Sequence, residues 1–345
     1  MLSDTLQART SRLGYRLAQG IGVGKNEVTL SLEGWTEKLR NDSGALPDSL
    51  NPTRSALNLS LSARMPLGPA ELVVEPALFN NEAESFAGGR TRLSFERSWL
   101  NLFAEASYTG QKRSWLQSYG WGDTVGPIGD SPKSRATNLR AGLSLKGGPF
   151  SVDLTGFINT TSDYTDFFAN DSADSISVQV FPSDVTWTGF SAEVGLRKHA
   201  RRGFYLTVTP AVFQLQDPTA STEHSTLLGS LPEIFVRGRL GMRYKIFQSD
   251  LDFDLYTQVR LWDSFQSRTL HPQTGILALR PIGSRPVDES IAMDVVLEAK
   301  IRTATLFLSF DNVLSSSVFT GNLIVPDYPL PAQRFRFGVY WPIQD

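Results

Sequence analysis

The chain has no cysteine. Disulfides, thiol nucleophiles and cysteine-ligated metals are therefore excluded. Histidine is scarce: His199, His224 and His271 are scattered and form no local metal motif. Charge of one sign is also missing. Lys and Arg number 33, Asp and Glu 35, and the formal net charge is −2, so the composition gives no sign of a nucleic-acid partner. No apolar run reaches the roughly 18 residues of a transmembrane helix. No stretch repeats apolar residues at the spacing of a helix face. Met1 is followed by Leu2-Ser-Asp-Thr-Leu-Gln-Ala-Arg-Thr10, which lacks the apolar segment of a signal peptide.

What the chain has instead is alternation with a period of two. In one stretch Leu251, Phe253, Leu255, Val259 and Leu261 fall on one face, while Asp250, Asp252, Asp254, Tyr256, Gln258 and Arg260 fall on the other. Such a strand separates an apolar medium from a wet one. The pattern recurs in pairs: Arg12–Gly22 with Glu27–Lys38, Ser55–Arg64 with Ala70–Phe79, Arg90–Glu96 with Leu100–Thr109, and Ala136–Lys146 with Phe150–Asn159. Thr188–Lys198 with Phe204–Gln214, Phe235–Lys245 with Asp250–Trp262, and Ser290–Ala299 with Thr303–Val313 continue it. Arg334–Trp341 stands alone at the end, with Phe335, Phe337, Val339 and Trp341 opposite Arg334, Arg336, Gly338 and Tyr340.

Strands of about 9–11 residues suit a tilted crossing of a hydrocarbon core, whereas strands in soluble sandwiches average about 5–6. Short turns alternate with long loops, the arrangement of outer-membrane barrels. A soluble solenoid or propeller would instead show a fixed repeat period, and none is seen. The expected fold is all-β: an antiparallel up-and-down transmembrane barrel of about 15–16 visible strands, with short periplasmic turns and long extracellular loops, in the bacterial outer membrane. Residues 12–345 form that single domain. Counting back from a periplasmic last strand puts residues 1–11 outside, as an extracellular loop or a truncated upstream strand. Fifteen strands is an odd number where single-chain bacterial barrels have an even one, and no signal peptide is present. These signs lead to the expectation that the chain is the C-terminal part of a longer barrel.

The C-terminal residues carry a family resemblance. Phe310-Asp-Asn-Val-Leu314, then Pro326-Asp-Tyr-Pro-Leu-Pro331, then Arg334-Phe-Arg-Phe-Gly-Val-Tyr-Trp341 resemble the end of TonB-dependent outer-membrane receptors of the Bacteroidota-like type. The signature residues are Asn312, Arg334, Phe335, Phe337 and Trp341. The resemblance implies solute uptake through a barrel, with outer-membrane lipid and the barrel-insertion machinery as partners. It also implies a TonB-type energy-coupling system acting through a plug that this chain does not contain. The chain departs from the family in having no plug, no TonB box and fewer strands than the roughly 22 of such transporters. Plug-less passive porins end similarly, and a structural or adhesive surface barrel is a third reading.

Candidate wet-face residues are Arg237, Arg239, Arg243, Asp250, Asp252, Asp254, Arg260, Asp294, Glu298, Arg334 and Arg336. The first three face the Asp250–Asp252–Asp254 block across a hairpin, either as a stabilising charge ladder or as a constriction. Candidate ligand contacts in the long loops are Trp115, Tyr119, Trp121, Tyr164, Phe167 and Phe168. The alternative is that these aromatics fold over one another or form an interfacial girdle. Asp163, Asp166, Asp171 and Asp174 match no metal-loop spacing. A catalytic pair such as Ser264 with His271 can be drawn, but it lacks an elbow motif. No enzyme activity, cofactor or metal is expected.

Overall fold

The computed structural model describes residues 8–41, 53–81, 84–111, 134–169, 176–181, 183–198, 202–216, 227, 229–246, 251–271, 275–281, 284–315, 323–325, 328–329 and 332–342. Every element it forms is a strand. In chain order these are β1 (Ala8–Val23), β2 (Asn26–Asn41), β3 (Thr53–Leu67), β4 (Ala70–Asn81), β5 (Glu84–Glu96), β6 (Leu100–Gln111), β7 (Ser134–Gly147) and β8 (Phe150–Ser162). Next come the small pair β9 (Thr165–Ala169) and β10 (Ile176–Val180), then β11 (Val185–Leu196), β12 (Gly203–Gln216), β13 (Ile234–Lys245) and β14 (Leu251–Trp262). After them lie the small pair β15 (Thr269–Leu270) and β16 (Leu277–Ala278), then β17 (Ser290–Ile301) and β18 (Ala304–Asp311). The small pair β19 (Leu323–Val325) and β20 (Tyr328–Pro329) precedes β21 (Arg334–Tyr340).

Fifteen long strands form one antiparallel meander in the order β1-β2-β3-β4-β5-β6-β7-β8-β11-β12-β13-β14-β17-β18-β21. All fifteen coincide with the stretches expected from alternation. Several run longer than expected: β1 and β2 have 16 residues each, and β3 has 15. The added residues are mostly polar on β1 and β2, whereas β3 also takes in Met65, Pro66 and Leu67 towards its turn. β1 begins at Ala8, ahead of the expected Arg12.

Two-residue turns close four of the hairpins. Gly24, Gly68 and Gly148 each take the first turn position with φ of 65°, 68° and 56°. A mirror-image hairpin turn needs a positive φ there, and glycine adopts it without steric cost. Arg302 holds the equivalent position with φ of 52°.

Because register preserves facing, each row of paired residues shares one side of the sheet. One such row runs Leu206–Leu240–Thr257–Val295–Phe310–Phe335 across six strands. Its members are open to the surroundings: Leu240 is 57% exposed and Phe335 64%. Another row, three positions along, runs Arg243–Asp254–Glu298–Phe307–Gly338 on the opposite side. An apolar face this extensive requires lipid rather than water.

Aromatic rings fill gaps left by glycines on the neighbouring strand. Tyr205 lies over Gly241 and Phe307 over Gly338, where an added Cβ would come within 2.5 and 2.6 Å of ring atoms. Such pairs tie adjacent strands at a set register. Among the described residues, buried apolar side chains cluster at the long-loop end of the sheet. One centres on Ala169, Ile176 and Ala278, the other on Phe181, Val185, Leu227 and Leu279.

Candidate functional site

The polar side of the sheet is built from ion pairs between adjacent strands. Arg12 and Glu33 approach at 4.0 Å, Arg64 and Glu71 at 3.1 Å, Arg90 and Glu75 at 2.8 Å, and Arg92 and Glu105 at 3.9 Å. Lys198 pairs with Glu193. On β12 to β17 the network is continuous. Asp254 accepts from Arg243 Nε at 3.2 Å, Arg239 Nη2 at 3.5 Å and the Tyr205 hydroxyl at 2.8 Å. The Arg239 guanidinium stacks on the Tyr256 ring at 3.5 Å, and the Tyr256 hydroxyl donates to Glu298 at 2.8 Å. Arg260 donates to Asp294 at 2.8 Å.

The expected facing of Arg237, Arg239 and Arg243 with Asp250, Asp252 and Asp254 needs correction. The register puts Arg243 opposite Asp254, but Arg239 opposite Gln258 and Arg237 opposite Arg260. Asp252 lies opposite Lys245, 3.7 Å away. The length of the turn offsets the two charge blocks along the strands. Asp250 lies outside the described residues.

The C-terminal signature serves the same wall. Arg334 Nε approaches Asp311 Oδ2 at 2.9 Å, and Arg336 Nη2 donates to Asp311 Oδ1 at 2.8 Å. Asn312 adopts φ of 51°, and its backbone N–H donates to Asp294 at 2.9 Å. Asn tolerates this left-handed conformation better than most side chains, and the turn it begins ends β18. Phe335, Phe337 and Trp341 stand on the apolar side, 64%, 76% and 69% exposed. Asp311, Lys198, Lys245 and Tyr205 were not singled out in the sequence. For Lys245, which shares a face with Arg243, period-two placement was the available signal; Lys198 lies past the end of β11 and had none.

Two polar cavities open on the wall. The first, about 460 Å³, is lined by Glu27, Arg64, Glu71, Glu75, Arg90 and Arg92 among others. The second, about 530 Å³, lies along β11 to β13 and is lined by Glu193, Lys198, Arg237, Arg239 and Arg243, with hydroxyls from Tyr205, Thr207 and Thr209.

At the long-loop end, three connections fold into a cap. Arg268 reaches Asp166 through two hydrogen bonds of 2.7 and 2.6 Å. The backbones join as well, with Ala169 N–H donating to Leu279 O at 2.9 Å and Leu279 N–H to Phe167 O at 2.7 Å. Tyr164 donates to Asp166 at 2.8 Å. Burial, reinforced by the Asp166 carboxylate, pushes the Tyr164 hydroxyl above its ordinary pKa. Arg268 is held protonated by Asp166 against the opposing effect of burial. Tyr164 and Phe168 pack on Phe181, and Phe167 packs on the Ala169 cluster. Tyr164 and Phe168 thus share one cluster of the cap and Phe167 belongs to the other. Trp115, Tyr119 and Trp121 lie outside the described residues, as do Asp171 and Asp174. Among the described residues no group of three or more His, Asp or Glu is placed to hold a metal. His271 is buried in the cap at 3% exposure.

A family model described as "Putative porin" matches residues 139–345, more than half of the chain. The chain belongs to this porin family. It is an outer-membrane β-barrel protein of a non-enzymatic family. No curated protein matches it. Solved structures match its fold. The FrpB iron transporter of Neisseria meningitidis (F3-3 variant) is 13% identical, with a TM-score of 0.69 over 97% of this chain and 55% of that one. The siderophore receptor PirA of Acinetobacter baumannii is 10% identical, with a TM-score of 0.69 over 96% and 54%. The copper transporter OprC is 11% identical, with a TM-score of 0.70 over 96% and 57%. This porin-family chain spans about half the length of the structures it matches.

Proposed function

We propose that the chain forms the wall of a passive solute channel across the outer membrane. The observation that carries this reading is the charged face that continues from the Arg12–Glu33 pair on β1 and β2 to Arg336 on β21, back to back with an apolar face. Paired charges keep such a wall wet while leaving little net field to trap a solute. The short turns lie at the periplasmic end and the folded cap at the extracellular end. Outer-membrane lipid contacts the apolar side, and the aromatic last strand is what the insertion machinery meets. Reconstitution into planar bilayers tests the reading: stepwise ohmic conductance supports it, and folded protein without conductance overturns it in favour of a structural barrel.

The shape shared with iron and copper transporters favours a second reading, energised uptake through a TonB-type system and a plug. Uptake by cells distinguishes the two. Passive flux persists when the proton-motive force is dissipated, whereas energised uptake stops.

A further inference from the structure

The two wall cavities differ in charge. The first sets Glu27, Glu71, Glu75 and Glu96 against Arg64, Arg90 and Arg92. The second sets Lys198, Arg237, Arg239 and Arg243 against Glu193, with Asp254 reached by Arg239 and Arg243. Four cations therefore face two carboxylates.

The geometry of the second cavity holds those cations ready for a ligand. Arg237 lies directly opposite Arg260 on the paired strand, and like charges facing across strands are destabilising. Arg237 donates to Gln258 at 3.2 Å, and no carboxylate among the described residues lies within ion-pairing distance of it. Arg239 is clamped against the Tyr256 ring, which fixes its guanidinium plane. Its Nε is shielded from solvent and has no hydrogen-bond partner among the described residues. Arg243 is anchored by Asp254 and by the Lys198 carbonyl at 2.9 Å. Guanidiniums held in place lose little freedom on binding, and their planar fork matches the oxygens of phosphoryl and carboxylate groups. The Thr207 hydroxyl lines the same side, while that of Thr209 donates to Glu193 at 3.5 Å.

We propose that this cavity binds small, multiply charged oxyanions, of the phosphate or polycarboxylate class. Their passage along the wall rests on the channel reading, but the binding itself does not.

The full chain, folded in detergent micelles, is titrated calorimetrically with inorganic phosphate and, separately, with citrate. The two arms tell phosphoryl from carboxylate recognition. At least one anion is expected to bind saturably, at least tenfold more weakly to Arg237→Gln and with partial recovery in Arg237→Lys. Arg285→Gln removes one positive charge in the exposed loop before β17 and leaves binding unchanged. The proposal is overturned if neither anion binds the parent chain saturably, or if Arg237→Gln binds both as the parent does. A chain that binds anion but does not conduct removes the channel reading and keeps the site. A chain that conducts but binds neither anion does the reverse.

Discussion

Arg268 and Asp166 stand 102 positions apart and meet through two parallel hydrogen bonds, Nη1 to Oδ1 at 2.7 Å and Nη2 to Oδ2 at 2.6 Å. Their side chains are 23% and 6% exposed. Removing one partner leaves the other charge in a poorly solvated place, at a cost of about 3 kcal/mol. Asp166→Ala is therefore expected to loosen the cap without melting the sheet. Hydrogen exchange checks this: the amides of Ala169 and Leu279 lose protection, and those of β13 and β14 keep theirs.

Alkaline pH acts on the same place. The folded Tyr164 pKa lies above its ordinary 10.0 because of burial first and the Asp166 carboxylate second. A group whose pKa is raised by folding contributes stability that is fully present below its unfolded pKa and is lost as pH rises through the folded one. Cap protection is expected to be independent of this group up to about pH 10 and to fall above it. Tyr164→Phe should abolish that alkaline decline, as followed by exchange of the Leu279 amide.

The joint between Gly338 and Phe307 predicts a local steric failure. A methyl at position 338 would meet the Phe307 ring within 2.6 Å, so Gly338→Ala should destabilise the barrel by about 1–3 kcal/mol. Trimming the ring in Phe307→Leu should recover part of that loss. Urea unfolding of the reconstituted protein gives the measurement.

Asp311 collects both arginines of the last strand. Asp311→Asn keeps the shape but removes the charge that assists both hydrogen bonds. Because Arg334 and Arg336 are about half exposed, solvent screens both pairs and the expected effect is a local loosening rather than global unfolding. Exchange should show it first in β21, which pairs only with β18 among the described strands.

All fifteen long strands were legible because the boundary between lipid and water writes itself on alternate residues, as in Leu251 to Leu261. The far ends of the strands were not: on β2 Leu39, Arg40 and Asn41 lie past the expected Lys38, and one apolar residue among three makes no alternating run. The charged wall was legible as a face but not as a set of contacts. Which arginine meets which aspartate depends on a register that residue types do not encode, so Arg237 came to face Arg260. The pairing of Asp166 with Arg268 had no local signal at all, because it forms only when two distant loops meet.

Which side of the sheet meets water is tested most directly by cysteine substitution, for which the cysteine-free parent chain provides a clean background. Single cysteines at Arg237, Gln258 and Tyr256 on the polar side, and at Leu240, Leu255 and Val259 on the apolar side, are exposed to a charged, membrane-impermeant thiol reagent while bilayer conductance is recorded. Modification at the first three positions is predicted to lower the current, and the last three are predicted to stay unreacted. Equal reactivity on both sides, or modification at the first three that leaves the current unchanged, would contradict the account.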